Sequence, residues 1–199
     1  MKVCGLTGGV GMGKSTAAGF LRKRGARVLD TDEIARQLVQ QGQPALAEIQ
    51  ATFGKAVVAS SGELNRAELA RIVFADAVAR KKLEAILHPP IREKWLAQIE
   101  TWRKGKNPLA TVVIPLLFET GAESHFDKIV CAACSVPAQR ERLLARGWTP
   151  EQIEQRNAAQ MPVEQKIARA DFVIWTEGSL ESHSRQIDDI FARLMPAPV

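Results

Sequence analysis

Eight residues, Gly8-Gly9-Val10-Gly11-Met12-Gly13-Lys14-Ser15, constrain this 199-residue chain more than any other stretch. They follow a short apolar run, Lys2 to Leu6, and precede a helical pattern with apolar Ala17, Phe20 and Leu21 that Gly25 stops. The spacing is G-x-x-x-x-G-K-[ST] in its required setting between a strand and a helix. Glycines let the backbone turn its N–H groups toward phosphate oxygens, and the helix beginning near Lys14 adds its positive end. Lys14 brings a cation to the β and γ phosphates, and the Ser15 hydroxyl is of the type that ligates Mg²⁺. The expected ligand is a nucleoside triphosphate.

The rest of the chain extends that beginning into an α/β fold. Arg27 to Leu29 reads as a second strand ending in Asp30-Thr31-Asp32, which completes a βαβ unit with a right-handed crossover. Ala110 to Ile114 and Lys128 to Ala133 are too uniformly apolar for a one-sided sheet and suit parallel strands covered on both faces. Asp171 to Trp175 reads as the fifth strand. Between the second and third strands, residues 45–106 read as several helices with one short strand candidate, Ala56 to Ala59. Asn65 and Glu68 have capping-box spacing ahead of Leu69, Ile72 and Val73. A helix is expected from Pro137 to about Arg146, a second capped by Thr149 with Pro150 and Gln152, and a last one capped by Ser179. The expected architecture is a doubly wound, five-stranded parallel sheet, its core formed by residues 1–44 and 107–199, with a helical substrate-binding insertion over 45–106.

Composition narrows the setting. The net charge of +5 suits an acidic partner without choosing among nucleic acid, membrane surface and phosphorylated metabolite. Three cysteines and no charged-then-apolar leader point to a reducing, cytoplasmic compartment. The longest near-apolar run, Leu109 to Phe118, is broken by Pro115 and falls far short of the roughly 20 residues a membrane span needs.

Nucleotide binding does not by itself fix a reaction. Asparagine occurs only at Asn65, Asn107 and Asn157, none followed by lysine, so the N-K-x-D element of a guanine switch is missing. Asp30 and Asp32 stand at the carboxyl end of the second strand, the edge where open α/β sheets bind ligands. Either could orient an acceptor hydroxyl and take its proton, or either could cap the helix expected from Glu33. Arg142 and Arg146, four apart on an expected helix, could face a triphosphate together; the alternative is a solvated basic helix paired with Glu141. Their place after a strand, followed by a capped helix and Arg156, favours a lid over 139–168.

Taken together, these segments resemble the dephospho-coenzyme A kinases. The resemblance rests on GLTGGVGMGKST from Gly5, VLDTDEIARQLV from Val28, Phe53-Gly54, GELNRAELARIVF from Gly62, LHPPI from Leu87, PLLFE from Pro115, QRERLLAR from Gln139, RNAAQ from Arg156 and RADFVI from Arg169. It implies a P-loop kinase that transfers the γ-phosphoryl group of ATP, with Mg²⁺, to the ribose 3′-hydroxyl of dephospho-coenzyme A. By the same resemblance Gly11, Met12, Gly13, Lys14, Ser15 and Thr16 bind ATP, and Asp32 orients or deprotonates the hydroxyl. Arg142 and Arg146 belong to the lid, with Arg142 joining Lys14 and Asp32 in catalysis. His88, Leu116, Leu117 and Glu119 line the acceptor region, although His88 before two prolines also reads as a structural residue. One segment departs from the family pattern: Trp175-Thr176-Glu177-Gly178 stands where an Asp-Asn-like polar pair is usual.

The remaining signals read as structure. Cys131 and Cys134 have redox-motif spacing but lie largely within a strand, where residues three apart face opposite sides. Arg22, Lys23, Arg24 and Arg27 form a basic cluster without the interleaved aromatics of a base-stacking surface, so no nucleic-acid partner is expected. A monomer or weak homo-oligomer acting on ATP and dephospho-coenzyme A, away from membranes, is the expected form. The rival readings are a nucleoside or nucleotide kinase and a nucleotide-gated binding protein.

Overall fold

A computed structural model describes residues 1–105 and 107–195. They form two compact units, one made of Met1–Asp30 and the described residues from Ile99 onward, the other of Thr31–Gln98.

The first unit is built on five parallel strands, β1 (Lys2–Thr7), β2 (Arg27–Asp30), β3 (Leu109–Val113), β4 (Lys128–Ala133) and β5 (Phe172–Trp175). Their order across the sheet is β2-β3-β1-β4-β5. All five residues of β3 are buried, Thr111 among them, as the near-continuous apolar pattern required of an inner strand. Alternate residues Cys4, Leu6, Val130, Ala132 and Ile174 pack with Ala17, Ala18 and Leu21 of α1 (Lys14–Lys23) and with Ile187, Ile190 and Leu194 of the C-terminal helix αC (Leu180–Leu194). On the opposite parity, the Gly5 position leaves room for Leu117 and Phe126, since a Cβ there would lie 2.6 Å from the Leu117 side chain. The helix αC begins at the Ser179 cap, whose hydroxyl accepts the Ser182 N–H at 3.1 Å. Arg24 at the end of α1 forks onto Asp188 and Ser184 of αC, so this member of the basic cluster serves helix packing.

The strand order has a consequence for function. From β1 the chain leaves toward β2, and from β3 it leaves toward β4 on the other side of β1. The adjacent carboxyl ends of β1 and β3 are therefore a topological switch point, where open α/β sheets form a ligand crevice. Thr7 leads there into Gly8, and Val113 leads through Ile114 into Pro115.

The second unit is helical. It contains Thr31–Leu38, Pro44–Phe53, Arg66–Ala75 and most of a 27-residue helix, Ala77–Arg103, which carries Pro89 and Pro90 in its interior. Val39, Ile49, Val57, Leu69 and Val73 form its core. The strand expected at Ala56 to Ala59 is not there. Lys55–Val57 is a single 3₁₀ turn, and Val58 makes an isolated bridge to Leu64, because no neighbouring strand among the described residues extends the pairing. Asn65 caps its helix by accepting the Glu68 N–H at 3.2 Å, whereas the Glu68 carboxylate pairs with Arg71. No helix among the described residues is long and apolar enough to cross a membrane.

His183 of αC is buried against Phe20 in an edge-to-face contact, with ring centroids 5.4 Å apart, and its Nε2 has no hydrogen-bond partner among the described residues. Burial, aided by the Arg142 charge, pushes its pKa below the ordinary histidine value. The unfolded chain therefore takes up this proton first, so the stabilisation is complete above about pH 6.5 and is lost as pH falls below it. Urea unfolding is expected to give a lower free energy at pH 5.5 than at pH 7, with a shallower decline in His183→Leu.

Candidate active site

The phosphate loop takes its shape from three glycines at positive φ: Gly8 at 139°, Gly11 at 73° and Gly13 at 85°. At Gly8 a Cβ would lie 2.1 Å from the Ala132 carbonyl oxygen, so only bare backbone can pass over the end of β4. At Gly11 and Gly13 the Cβ positions are blocked by the Leu143 and Thr176 side chains at 2.9 and 3.0 Å. Gly13 precedes the first turn of α1, whose opening residues are Lys14, Ser15 and Thr16. The Lys14 ammonium curls back into the loop and donates to the carbonyls of Gly8 and Gly9, each at 2.8 Å. Its charge is thus held where phosphate oxygens would sit, beside amide groups that carry partial positive charge. Met12 is buried and Ser15 exposed.

Side chains far along the chain brace this loop. Gln139 donates to the Val10 carbonyl at 2.7 Å and exchanges hydrogen bonds with Asn157 at 3.0 and 3.2 Å. Gln160 accepts the Val10 N–H at 3.3 Å. Thr176, just past β5, donates its hydroxyl to the Met12 carbonyl at 3.2 Å and accepts from Arg142 Nη1 at 2.8 Å, while Arg142 Nη2 donates to the Thr176 carbonyl. The next residue, Glu177, accepts the Ser135 N–H, which holds its carboxyl below the usual carboxylate range. In the segment that departs from the family pattern, Thr176 therefore anchors both Arg142 and the Met12 turn, and Glu177 ties the segment to Ser135.

Arg142 and Arg146 part company here. The helix Val136–Leu144, N-capped by Ser135, ends two residues before Arg146. The chain then turns through Gly147 at φ 82°, with the Gly147 N–H bonded to Leu144 and the Trp148 N–H to Leu143. Arg142 is half-buried on the helix and Arg146 exposed in the turn, so the shared helix face expected from their spacing is absent. The next helix, Pro150–Ala158, opens on the expected Thr149–Gln152 capping box, and Arg156 stacks over Trp148 at 4.4 Å.

A second cluster lies where β3 ends. The Pro115 carbonyl accepts from Thr7 Oγ1 at 3.2 Å and from Lys166 Nζ at 2.6 Å. Lys166, on the helix Val163–Arg169, is fully buried and also pairs with Glu119 at 2.8 Å. The same Glu119 oxygen accepts the Met161 N–H at 2.8 Å. Leu116 is half-buried and Leu117 fully buried against β1. The first unit thus brings together Gly11–Thr16, Arg142 and the Pro115–Glu119 segment through direct contacts or adjacent strand ends.

Asp30 ends β2, and Asp32 is the second residue of the following helix and exposed, inside the first turn rather than at its cap. His88, half-buried in the second unit, has its pKa lowered chiefly by burial, opposed by Glu84 and aided by Arg92. Cys131 and Cys134 are free, buried thiols; burial pushes Cys131 up to about 11 against the opposing charges of Lys166 and Lys14. Both read as structural thiols, Cys131 within β4 and Cys134 just past its end.

The bracing residues Gln139, Gln160, Thr176 and Lys166 escaped sequence reasoning. Thr176 had a signal in the departure from the family pattern, whereas nothing local distinguishes Lys166 from a surface lysine. Thr176→Val preserves volume and removes the hydroxyl that joins Arg142 to Met12. It is expected to weaken triphosphate binding roughly tenfold, or about 1.4 kcal/mol, in isothermal titration.

Comparison with known proteins agrees with this geometry. The family model described as dephospho-CoA kinase matches residues 2–182. A dephospho-CoA kinase of Anaeromyxobacter dehalogenans is 45% identical over 195 residues, covering 98% of this chain and 92% of that protein. Among solved structures, TT1252 from Thermus thermophilus is 35% identical with a TM-score of 0.80, covering 98% of both chains. A dephospho-CoA kinase from Campylobacter jejuni, 24% identical with a TM-score of 0.65 and covering 98% and 97% of the two chains, shares the fold. With its phosphate loop and Pro115–Glu119 segment issuing from neighbouring strands, this chain belongs to the dephospho-CoA kinase family.

Proposed function

We propose that the protein transfers the γ-phosphoryl group of ATP to the ribose 3′-hydroxyl of dephospho-coenzyme A, giving ADP and coenzyme A, the last step of coenzyme A synthesis. The observation that carries this reading is the adjacency of two strand ends. The phosphate loop leaves β1 and the Pro115–Glu119 segment leaves β3 at the same switch point, which suits a site for two phosphate-bearing substrates.

In this reading Gly11 to Thr16 cradle the triphosphate. Lys14 exchanges the Gly8 and Gly9 carbonyls for phosphate oxygens. Arg142, held by Thr176, faces the developing charge with a fixed guanidinium fork, and Arg146 joins it from the turn. Residues 139–168 act as a lid, and 45–106 carry the helical acceptor-binding insertion. Leu116, Leu117, Glu119 and His88 line the acceptor region. The 3′-oxygen attacks the γ-phosphorus as the bond to the β-phosphate bridging oxygen breaks, ADP departs, and the hydroxyl proton passes to the Asp32 carboxylate.

The described residues hold no group of three or more His, Cys, Asp or Glu side chains arranged for a metal. The hard hydroxyl oxygen of Ser15 fits Mg²⁺, which takes most of its ligands from water and substrate phosphates. When bound, the ion would neutralise phosphate charge, with Ser15 as its protein ligand. Free, buried thiols suit a reducing cytoplasm, and the enzyme is read as a monomer or weak homo-oligomer.

A coupled ADP-release assay against dephospho-coenzyme A, nucleosides, nucleoside monophosphates and no acceptor tests the reading. Turnover should depend strictly on dephospho-coenzyme A; nucleoside-dependent or acceptor-independent turnover would favour a rival. Asp32→Asn is expected to lower kcat by roughly 10²- to 10⁴-fold while leaving ATP affinity nearly unchanged. Lys14→Ala should abolish transfer and also weaken ATP binding strongly, as read by titration. Full activity in Asp32→Asn would remove its assigned role.

A further inference from the structure

Lys166 is an expensive choice for its position. Its side chain is fully buried, and an apolar residue of similar volume would fill the space without desolvating an ammonium. What the charge adds is direction. Two of its N–H groups are committed at short range, to the Pro115 carbonyl at 2.6 Å and the Glu119 carboxylate at 2.8 Å. Those two oxygens bracket the Pro115–Glu119 segment, one at each end. The Pro115 carbonyl also accepts the longer bond from Thr7 at 3.2 Å. Glu119 in turn receives the Met161 N–H, so the strap between the helices Pro150–Ala158 and Val163–Arg169 is tied to the same carboxylate.

We infer that Lys166 is a positioning residue for the acceptor: it sets the Pro115 carbonyl and the Glu119 carboxylate, and through them the segment that receives dephospho-coenzyme A. The inference rests on the reading above that this segment lines the acceptor region. It also has a selective consequence. Among the described residues, the phosphate loop is braced through different side chains, Gln139, Gln160 and Thr176, whose bonds to it fall on Val10 and Met12. Loss of the Lys166 charge therefore loosens the acceptor half and leaves the nucleotide half supported.

Steady-state kinetics with both substrates varied, alongside thermal melting, test this on Lys166→Met, Lys166→Arg and Lys166→Gln. Lys166→Met is expected to raise KM for dephospho-coenzyme A at least tenfold while KM for ATP stays within about twofold. Lys166→Arg, which keeps the charge and two or more donors, should stay within about threefold of wild type for both. Lys166→Gln keeps a single short donor group and should give an intermediate, acceptor-selective rise, so it decides the matter if Lys166→Met does not fold. An active wild type whose variants show unchanged KM values, or equal rises for both substrates, overturns the inference alone. A wild type inert toward dephospho-coenzyme A overturns the proposed function and the inference with it.

Discussion

Gly8 passes over the end of β4 with no space for a side chain, since a Cβ would sit 2.1 Å from the Ala132 carbonyl oxygen. That close approach places the loop directly over the sheet, so β1 can hand the chain to α1 within a few residues. The backbone conformations it requires, positive φ at Gly8, Gly11 and Gly13, are strained for any residue bearing a Cβ. Everything at this edge is arranged around the resulting ring of backbone: Leu143 and Thr176 fill the spaces the glycines leave, and Lys14 occupies its interior through two carbonyls.

Two polar networks then divide the labour. Gln139, Asn157, Gln160, Thr176 and Arg142 hold the nucleotide loop from the side of β5. Lys166, Glu119 and Thr7 hold the Pro115–Glu119 segment from the side of β3. Buried polar groups carry a cost that only complete hydrogen bonding offsets, so each network is a strong orienting device with little tolerance for a missing member. The two networks meet where Gln160, bonded to Val10, adjoins Met161, bonded to Glu119.

The strands were legible because a parallel sheet covered on both faces demands near-continuous apolar runs, and Leu109–Val113, interrupted only by Thr111, and Ile129–Ala133 have them. Helix starts at Asn65, Thr149 and Ser179 were equally accessible, since a cap is a contact between residues three positions apart, whereas the helix expected from Pro137 begins one residue earlier, after the Ser135 cap. Ala56 to Ala59 misled because its residues favour extended backbone, yet a strand exists only with a neighbour to pair with, and none adjoins Val58 beyond one bridge. Arg146 misled for a related reason: the 3.6-residue period continues through it, whereas Gly147 in the left-handed region ends the helix before it.

The sequence by itself determined the phosphate loop, the parallel α/β core and the family, because each depends on residue types at short, fixed spacings or on collinear segments. Tertiary structure alone decided which side chains hold that loop and its neighbouring segment in place. Thr176 meets Met12 across 164 residues, Gln139 meets Val10 across 129, and Lys166 meets Pro115 across 51. Such partners are brought together by strand order and helix packing, and no local pattern of charge or hydrophobicity records them.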